Sequence, residues 1–173
     1  MQLNERLLNM QERYAPEALA AMMNLLDSHD TNRALFMLDP NTYLNDSSIY
    51  QNPNYNWSNA ISRLRGAVLL QMTLPGAPTI YYGDEVGLVG PVTFDTEANT
   101  WQDDPYNRIP YPWLDQSGTP FYLHLQTQVS QNSLLSYYTL LTNTRNTHPA
   151  LRTGSFDPLL WDHPYVYAYG RRS

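Results

Sequence analysis

The stretch LLDSHDTNR, residues 25–33, closes a short apolar run on Asp27, Ser28, His29 and Asp30 and then adds Arg33. The apolar residues 22–26 (MMNLL) read as a buried strand, so the polar residues gather at its C-terminal end. An imidazole beside a carboxylate at that position would project into a cleft. Asp accepts two hydroxyl hydrogen bonds, and neutral His donates from one ring nitrogen. Asp30 equally suits the N-cap of a helical turn over residues 32–38. The dipeptide alone leaves both readings open.

Working outward, residues 3–14 place Leu3, Leu7, Leu8 and Met10 near helical spacing, and Pro16 opens a second short helix or turn. Residues 39–57, rich in Asn, Asp, Pro and Tyr, read as a long loop. Residues 58–73 are the clearest helix, with Ile61, Leu64, Val68 and Met72 on one face, Ser58 as N-cap and Pro75-Gly76 as the stop. Residues 79–82 (TIYY) read as a strand, again ending in carboxylates, Asp84 and Glu85. A second long loop, 87–118, contains DDPYNRIPYPW. Residues 120–130 fit neither period, and 133–146 form a helix carrying Leu134, Tyr138 and Leu141 on one side. HPALRTGSF then reads as a turn and YVYAYG as a strand. Two strands that each carry acids at the C-terminal end, separated by a helix, are the pattern of a parallel α/β unit with right-handed crossovers. In (β/α)₈ barrels the chemistry sits on the loops after the strands. Two such units cannot close a barrel. The helix-like start and strand-like end lead us to expect a piece of a longer protein.

The chain has 173 residues, enough for one domain with a core, and a net charge of −6. All ten basic residues are arginine. No basic patch is visible, so nucleic acid is not an expected partner. Cysteine is absent, which excludes disulfides and thiolate zinc sites without fixing a compartment. Tyrosine occurs 14 times and tryptophan four. Such amphipathic rings suit stacking on sugars or bases, and equally core packing; without positive charge to hold phosphates, sugar is the better ligand class. The N-terminus lacks a signal-peptide pattern, and no apolar run is long enough to predict a membrane span, so no membrane partner is expected and localisation stays open.

Four segments occur in order: MMNLLDSHDTNR, RLRGAVLLQMTLPGAPTIYYGDEVGL, DDPYNRIPYPW and LLSYYTLLTNTRNTHPALRTGSF. Together they resemble the α-amylase family of glycoside hydrolases, glycoside hydrolase family 13, and most closely its neopullulanase, cyclomaltodextrinase and amylopullulanase members. The resemblance implies an α/β fold: a partial (β/α)₈ TIM barrel, the last two strand–helix units, followed by the first strand of a C-terminal β-domain. Residues 1–150 would belong to the catalytic barrel and 151–173 to the start of the β-domain. It implies that His29 and Asp30 stabilise the transition state and bind hydroxyls of the sugar at subsite −1, with Arg33 structural. It implies that Asp104 and Arg108 grip vicinal hydroxyls of donor-side glucose units, a role compatible with an internal salt bridge that pins their loop. Asp84 and Glu85 match a recurrent family stretch, for which a structural role is favoured. Tyr111-Pro112 departs from the family, where methionine commonly follows the first proline; Trp113 fits. His124, His148 and His163 are read as incidental, with His148 a helix C-cap, and none has metal-ligand spacing. Trp57 and the tyrosines of residues 43–55 could line a cleft or pack the loop.

Retaining glycosidases need a nucleophile and an acid/base carboxyl about 5–5.5 Å apart. The family's nucleophile lies in a Gly-x-Arg-x-Asp stretch, and no Arg-x-Asp occurs here. The only glutamates before His29 are Glu5, Glu12 and Glu17, in helix-like sequence too close to it to be the acid/base. The expectation is a fragment of an enzyme acting on starch, pullulan or maltodextrin, inactive alone, whose partners are an α-glucan and the missing N-terminal half of the barrel. No cofactor is required; calcium in the parent has no assignable site here. The alternatives are a noncatalytic α-glucan-binding or interaction module, and an α-glucan transglycosylase or sucrose isomerase of the same family.

Overall fold

The computed structural model describes residues 2–52, 54–90, 92–113, 115–117 and 131–173. In chain order they form α1 (Gln2–Arg13), α2 (Pro16–Ala21), β1 (Met23–Asn24), α3 (Ala34–Met37), α4 (Ser47–Gln51), α5 (Ser58–Thr73), β2 (Ala77–Pro78), β3 (Thr93–Asp95), β4 (Thr100–Gln102), α6 (Gln131–Thr147), α7 (Pro149–Thr153), β5 (Ser155–Leu160) and β6 (Ala168–Arg172). Short 3-10 turns lie at Thr42–Leu44, Asp84–Val86 and Tyr106–Arg108. The chain divides into two units: Met1–Asn24, Leu69–Thr79 and Leu140–Ser173 form the first, and Leu25–Val68 with Ile80–Thr139 the second. His124 and residues 120–130 lie outside the described residues.

In the first unit β1 and β2 pair in parallel, Met23 opposite Ala77 and Asn24 opposite Pro78. Ala77 N donates to Met22 O (2.7 Å) and Thr79 N to Asn24 O (3.1 Å). The ladder therefore ends at Thr79, and the strand expected over 79–82 is displaced two residues upstream. The expected buried strand over 22–26 is likewise only Met23–Asn24. Met23 is 60% and Leu25 47% exposed, because among the described residues β1 has hydrogen-bonded strand company on one side, from β2.

Two side-chain amides reinforce this pair. Asn24 Nδ2 donates to Gln71 O (3.3 Å) and Pro75 O (3.0 Å), while Gln71 Nε2 donates to Asn24 O and Thr79 O, both at 2.9 Å. The last carbonyls of a helix lack intrahelical donors, and two guanidiniums supply them for α5. Arg145, buried, donates to Met72 O (2.7 Å), Leu74 O (3.3 Å) and Gly76 O (2.6 Å). Arg171 donates to Thr73 O at 2.8 Å. Gly76 follows with φ +118°, and a Cβ there would lie 2.8 Å from Met22 O, so the stop expected at Pro75-Gly76 has a steric basis.

Several expectations need correction in this unit. The apolar residues Leu3, Leu8 and Met10 of α1 are exposed, whereas Asn4 is buried and its Oδ1 accepts from the Tyr167 hydroxyl (3.0 Å). HPALRTGSF is not a bare turn: Pro149 starts α7, where a missing N–H costs nothing, and Ser155 starts β5. YVYAYG yields a strand only from Ala168, since Tyr165 N closes a bend by donating to His163 Nδ1 (3.2 Å). Residues 151–173 thus contain an antiparallel hairpin, β5 with β6, rather than a first strand alone. The ladder is irregular between Pro158 and Leu160, as a proline that cannot donate demands.

In the second unit Ala60, Leu64 and Val68 of α5 and Leu134 and Tyr138 of α6 are buried at the i, i+4 spacing of one helix face. Ile61 is only partly buried. The N-terminus of α5 is capped from outside: Asn56 Oδ1 accepts from Ser58 N (3.0 Å) and Ser58 Oγ (2.5 Å), so Asn56, not Ser58, supplies the capping oxygen. The two long loops are not structureless. The first contains α4, capped by Asp46 Oδ1 accepting from Ser48 N (2.9 Å). The second contains the hairpin of β3 and β4. Trp101 Nε1 donates to Thr42 O (3.0 Å) and Phe94 N to Ser47 Oγ (2.7 Å), binding one loop to the other. Rings of Phe36, Tyr50, Tyr55, Trp57, Phe94 and Trp101 meet at centroid distances of 4.8–5.7 Å. Tyr50 and Tyr55 both donate to Asp39 Oδ2 at 2.6 Å. Of the two readings of these rings, loop packing is the one observed for Trp57, Tyr50 and Tyr55.

Candidate active site

All of the site lies in the second unit. Residues 28–31 form a turn closed by their own polar groups: Ser28 N donates to Thr31 Oγ1 (3.0 Å), Thr31 N to Ser28 O (3.3 Å) and Asp30 N to Ser28 Oγ (3.2 Å). The turn carries His29 and Asp30 into solvent. The helix-cap reading of Asp30 is decided by Asp27. Ala34 N at the start of α3 donates to Asp27 Oδ2 (2.9 Å), and Asp27 is buried. The Asp30 side chain is 69% exposed.

Asp30 meets two partners, His29 Nε2 at 3.2 Å and Arg108 Nη2 at 3.5 Å. Arg108 Nε lies 3.2 Å from Asp104 Oδ1 and also donates to the His29 carbonyl (3.2 Å). The four residues singled out in the sequence, His29, Asp30, Asp104 and Arg108, are therefore brought together as one exposed array. Their ion pairs contribute little to stability in water. Chemically the array alternates carboxylate acceptors with a guanidinium donor, the pattern that complements neighbouring hydroxyls.

Beneath it the residues are buried. Arg33, 2% exposed, donates from Nη1 to Tyr82 O (2.5 Å), and its guanidinium lies 4.3 Å from the Tyr81 ring centroid and 4.5 Å from that of Tyr82. Cation–π attraction strengthens when both groups are desolvated. This is the structural role expected for Arg33. Asp84 is also buried, with Oδ1 4.0 Å from Arg33 Nη1 and its carboxyl interacting with that of Asp27. Burial, and then the negative charge of Asp27, push the Asp84 pKa up to about 9; burial raises Asp27 as well. The Oδ1 of each acid is buried without a hydrogen-bond partner. Glu85 Oε2 accepts from Gly83 N (2.9 Å). The Tyr111 phenol beside it has its pKa raised to about 12 by burial and then by the Glu85 charge. The Tyr111-Pro112 departure thus places a phenol on Glu85, with the Trp113 ring 4.5 Å from that of Tyr111.

Sequence reasoning missed two residues. Asp27 caps a helix seven residues on, which no local capping spacing signals. Asn107, 2% exposed, donates from Nδ2 to the His29 carbonyl (2.5 Å) across 78 residues of chain. His148 Nδ1 lies 2.8 Å from Thr144 O at the end of α6, as a C-capping residue should. Among the described residues no group of three or more His, Cys, Asp or Glu side chains is placed to hold a metal ion.

Known proteins give this geometry a family. The description "Alpha amylase, catalytic domain" matches residues 1–154. An amylopullulanase of Thermoanaerobacter thermohydrosulfuricus is 34% identical over 170 residues, 98% of this chain and 10% of that protein. A cyclomaltodextrinase of a Bacillus species is 32% identical over 143 residues, 83% of this chain and 18% of that one. Among solved structures, Ttha1563 of Thermus thermophilus superposes with a TM-score of 0.65 at 28% identity, covering 97% of this chain and 26% of that chain. A cyclomaltodextrinase structure gives 0.60 at 31% identity, covering 92% and 20%. The chain spans about a tenth of the length of the first curated relatives it matches. With its α/β TIM-barrel-type fold, this chain belongs to the α-amylase family of glycoside hydrolases, within the catalytic domain.

Proposed function

We propose that the chain supplies the transition-state-stabilising and donor-side half of the active site of a retaining enzyme that cleaves α-glucans. The observation that carries this is the continuous exposed array His29–Asp30–Arg108–Asp104, with Asp30 freed from helix capping by Asp27. Asp30 would accept hydroxyl hydrogen bonds from the sugar at subsite −1 and hold negative charge beside the oxocarbenium-like transition state, with His29 donating to a further hydroxyl. Asp104 and Arg108 would grip the next donor-side glucose. The nucleophile and acid/base carboxyls would come from the rest of the barrel. In this reading the β1- and β2-containing units are the last two of a (β/α)₈ barrel spanning residues 1–150 here, and residues 151–173 begin a C-terminal β-domain. The remaining barrel strands would cover the exposed Met23 and Leu25. The amylopullulanase and cyclomaltodextrinase relatives support starch, pullulan or maltodextrin as the substrate class.

The test has two stages. The chain is titrated with maltohexaose and run through starch and pullulan gels, alone and as Asp30→Ala and Asp104→Ala. Retardation is expected for the parent sequence, reduced in both variants, with no sugar released. The N-terminal half of the barrel is then added in trans, and hydrolysis is expected. A soluble assembled pair with Asp30 intact that cleaves no α-glucan would overturn the catalytic reading, and retardation persisting in that pair would favour a glucan-binding module.

A further inference from the structure

We infer that Asn107 is the positioning residue of this array: its buried amide holds the His29 carbonyl and so sets where His29 and Asp30 stand relative to Arg108. The inference rests on the reading above only for the ligand. The geometry is independent of it. The turn 28–31 is closed entirely by hydrogen bonds among Ser28, Asp30 and Thr31, so it keeps its shape whatever its tilt. What sets the tilt is the grip on the His29 carbonyl, which two donors share: Asn107 Nδ2 at 2.5 Å and Arg108 Nε at 3.2 Å.

The two donors are unequal. Arg108 is half-exposed and divided among Asp30, Asp104 and the carbonyl. Asn107 is buried, and among side-chain donors it is the short, stiff one. Its own backbone is fixed on both sides. Asn107 N donates to Asp103 O (2.8 Å), the Tyr81 hydroxyl donates to Asn107 O (3.3 Å), and the Tyr82 hydroxyl donates to Ile109 O (2.7 Å). Tyr81 and Tyr82 are the rings that clasp Arg33. The orientation of the amide follows from chemistry, since only its nitrogen can face a carbonyl oxygen. Asn107 therefore transmits the position of the Arg33–Tyr81–Tyr82 clasp to the exposed His29–Asp30 pair, without touching sugar itself.

The test uses the whole 173-residue chain in three variants. Asn107→Leu keeps most of the volume and removes the donor; Asn107→Ser removes the reach with no added bulk and serves if the leucine does not fold. Leu64→Ala lowers stability in the same unit by opening a cavity and controls for loss of stability. Maltohexaose affinity, measured well below each melting temperature, should fall about tenfold in the Asn107 variants, the net worth of one hydrogen bond, and stay unchanged in Leu64→Ala. In ¹H–¹⁵N spectra the amides of His29, Asp30 and Thr31 should shift or broaden in the Asn107 variants, with those of β3 and β4 unmoved. If the parent chain binds no maltohexaose, the glucan reading fails, while the spectra still decide the positioning role. Unmoved 29–31 amides, or an affinity loss that Leu64→Ala shares, would overturn the inference.

Discussion

Asp84→Asn tests the buried acid pair beneath the site. Asp84 and Asp27 interact with each other and are both buried, with Asp27 Oδ2 committed to Ala34 N and the Arg33 guanidinium 4.0 Å from Asp84 Oδ1. Asp27 is placed to carry the charge and Asp84 the proton. The groups facing Asp84 act in opposite senses: burial, Asp27 and Glu85 raise its pKa, and Arg33 lowers it, leaving it near 9 against 3.8 for a free aspartate. A raised pKa in the folded state means that folding takes up a proton between those two values. The stabilising contribution is complete below the unfolded value and is lost as pH rises toward the folded one. One proton corresponds to a slope of about 1.4 kcal/mol per pH unit, or about 4 kcal/mol between pH 5 and 8. That is a large share of the 5–15 kcal/mol typical of a folded domain. Asparagine keeps the shape and cannot titrate. Urea unfolding at pH 5, 6, 7 and 8 at constant ionic strength should give a stability difference, parent minus variant, that falls by about 1.4 kcal/mol per unit. Infrared spectra at neutral pH should show a protonated carboxyl band in the parent that the variant lacks. Parallel stability curves with no such band would refute a proton held on Asp84.

Asp30→Ala should leave urea stability within about 0.5 kcal/mol, because its partners are exposed, even where glucan retardation is lost. Arg145→Met should lower stability by about 3 kcal/mol in a thermal melt, since it strands the carbonyls of Met72 and Gly76. Gly83→Ala should cost about 2–3 kcal/mol: φ is +93° and the new Cβ would lie 2.5 Å from Leu88 Cδ2. Shortening Leu88 to alanine should recover only the share due to its Cγ and Cδ2, because the Cβ that alanine keeps would still lie 2.8 Å from the new one; a double-mutant cycle measures that share.

The helices were legible because their periods are local. Leu64 and Val68, and Leu134 and Tyr138, repeat at helical spacing and are buried. The strands were harder, because a ladder is decided by a partner far along the chain. Thr79 and the tyrosines after it read as a strand on propensity, yet pairing with β1 ends at Thr79 and Tyr81 and Tyr82 turn instead onto Arg33. Ser155 and Phe156 read as the end of a turn, and only the opposing β6 makes 155–160 a strand. The site divides in the same way. His29, Asp30, Asp104 and Arg108 stand in recognisable motifs, and the structure gathers them. Asp27 and Asn107 act on groups outside their own motifs, so neither spacing nor residue type announces them. Arg145 drew no reading from the sequence, because its value lies in three carbonyls of another segment.

The exposed acid at position 30 and the buried one at position 27 divide two demands between them. The chain's path into α3 depends on the buried carboxyl, which tolerates little change. The exposed side chains of His29 and Asp30 hang from a turn that closes itself, so they can be exchanged without disturbing that path. A scaffold of this kind lets the exposed side chains be exchanged one at a time while the buried carboxyl keeps the chain on its course.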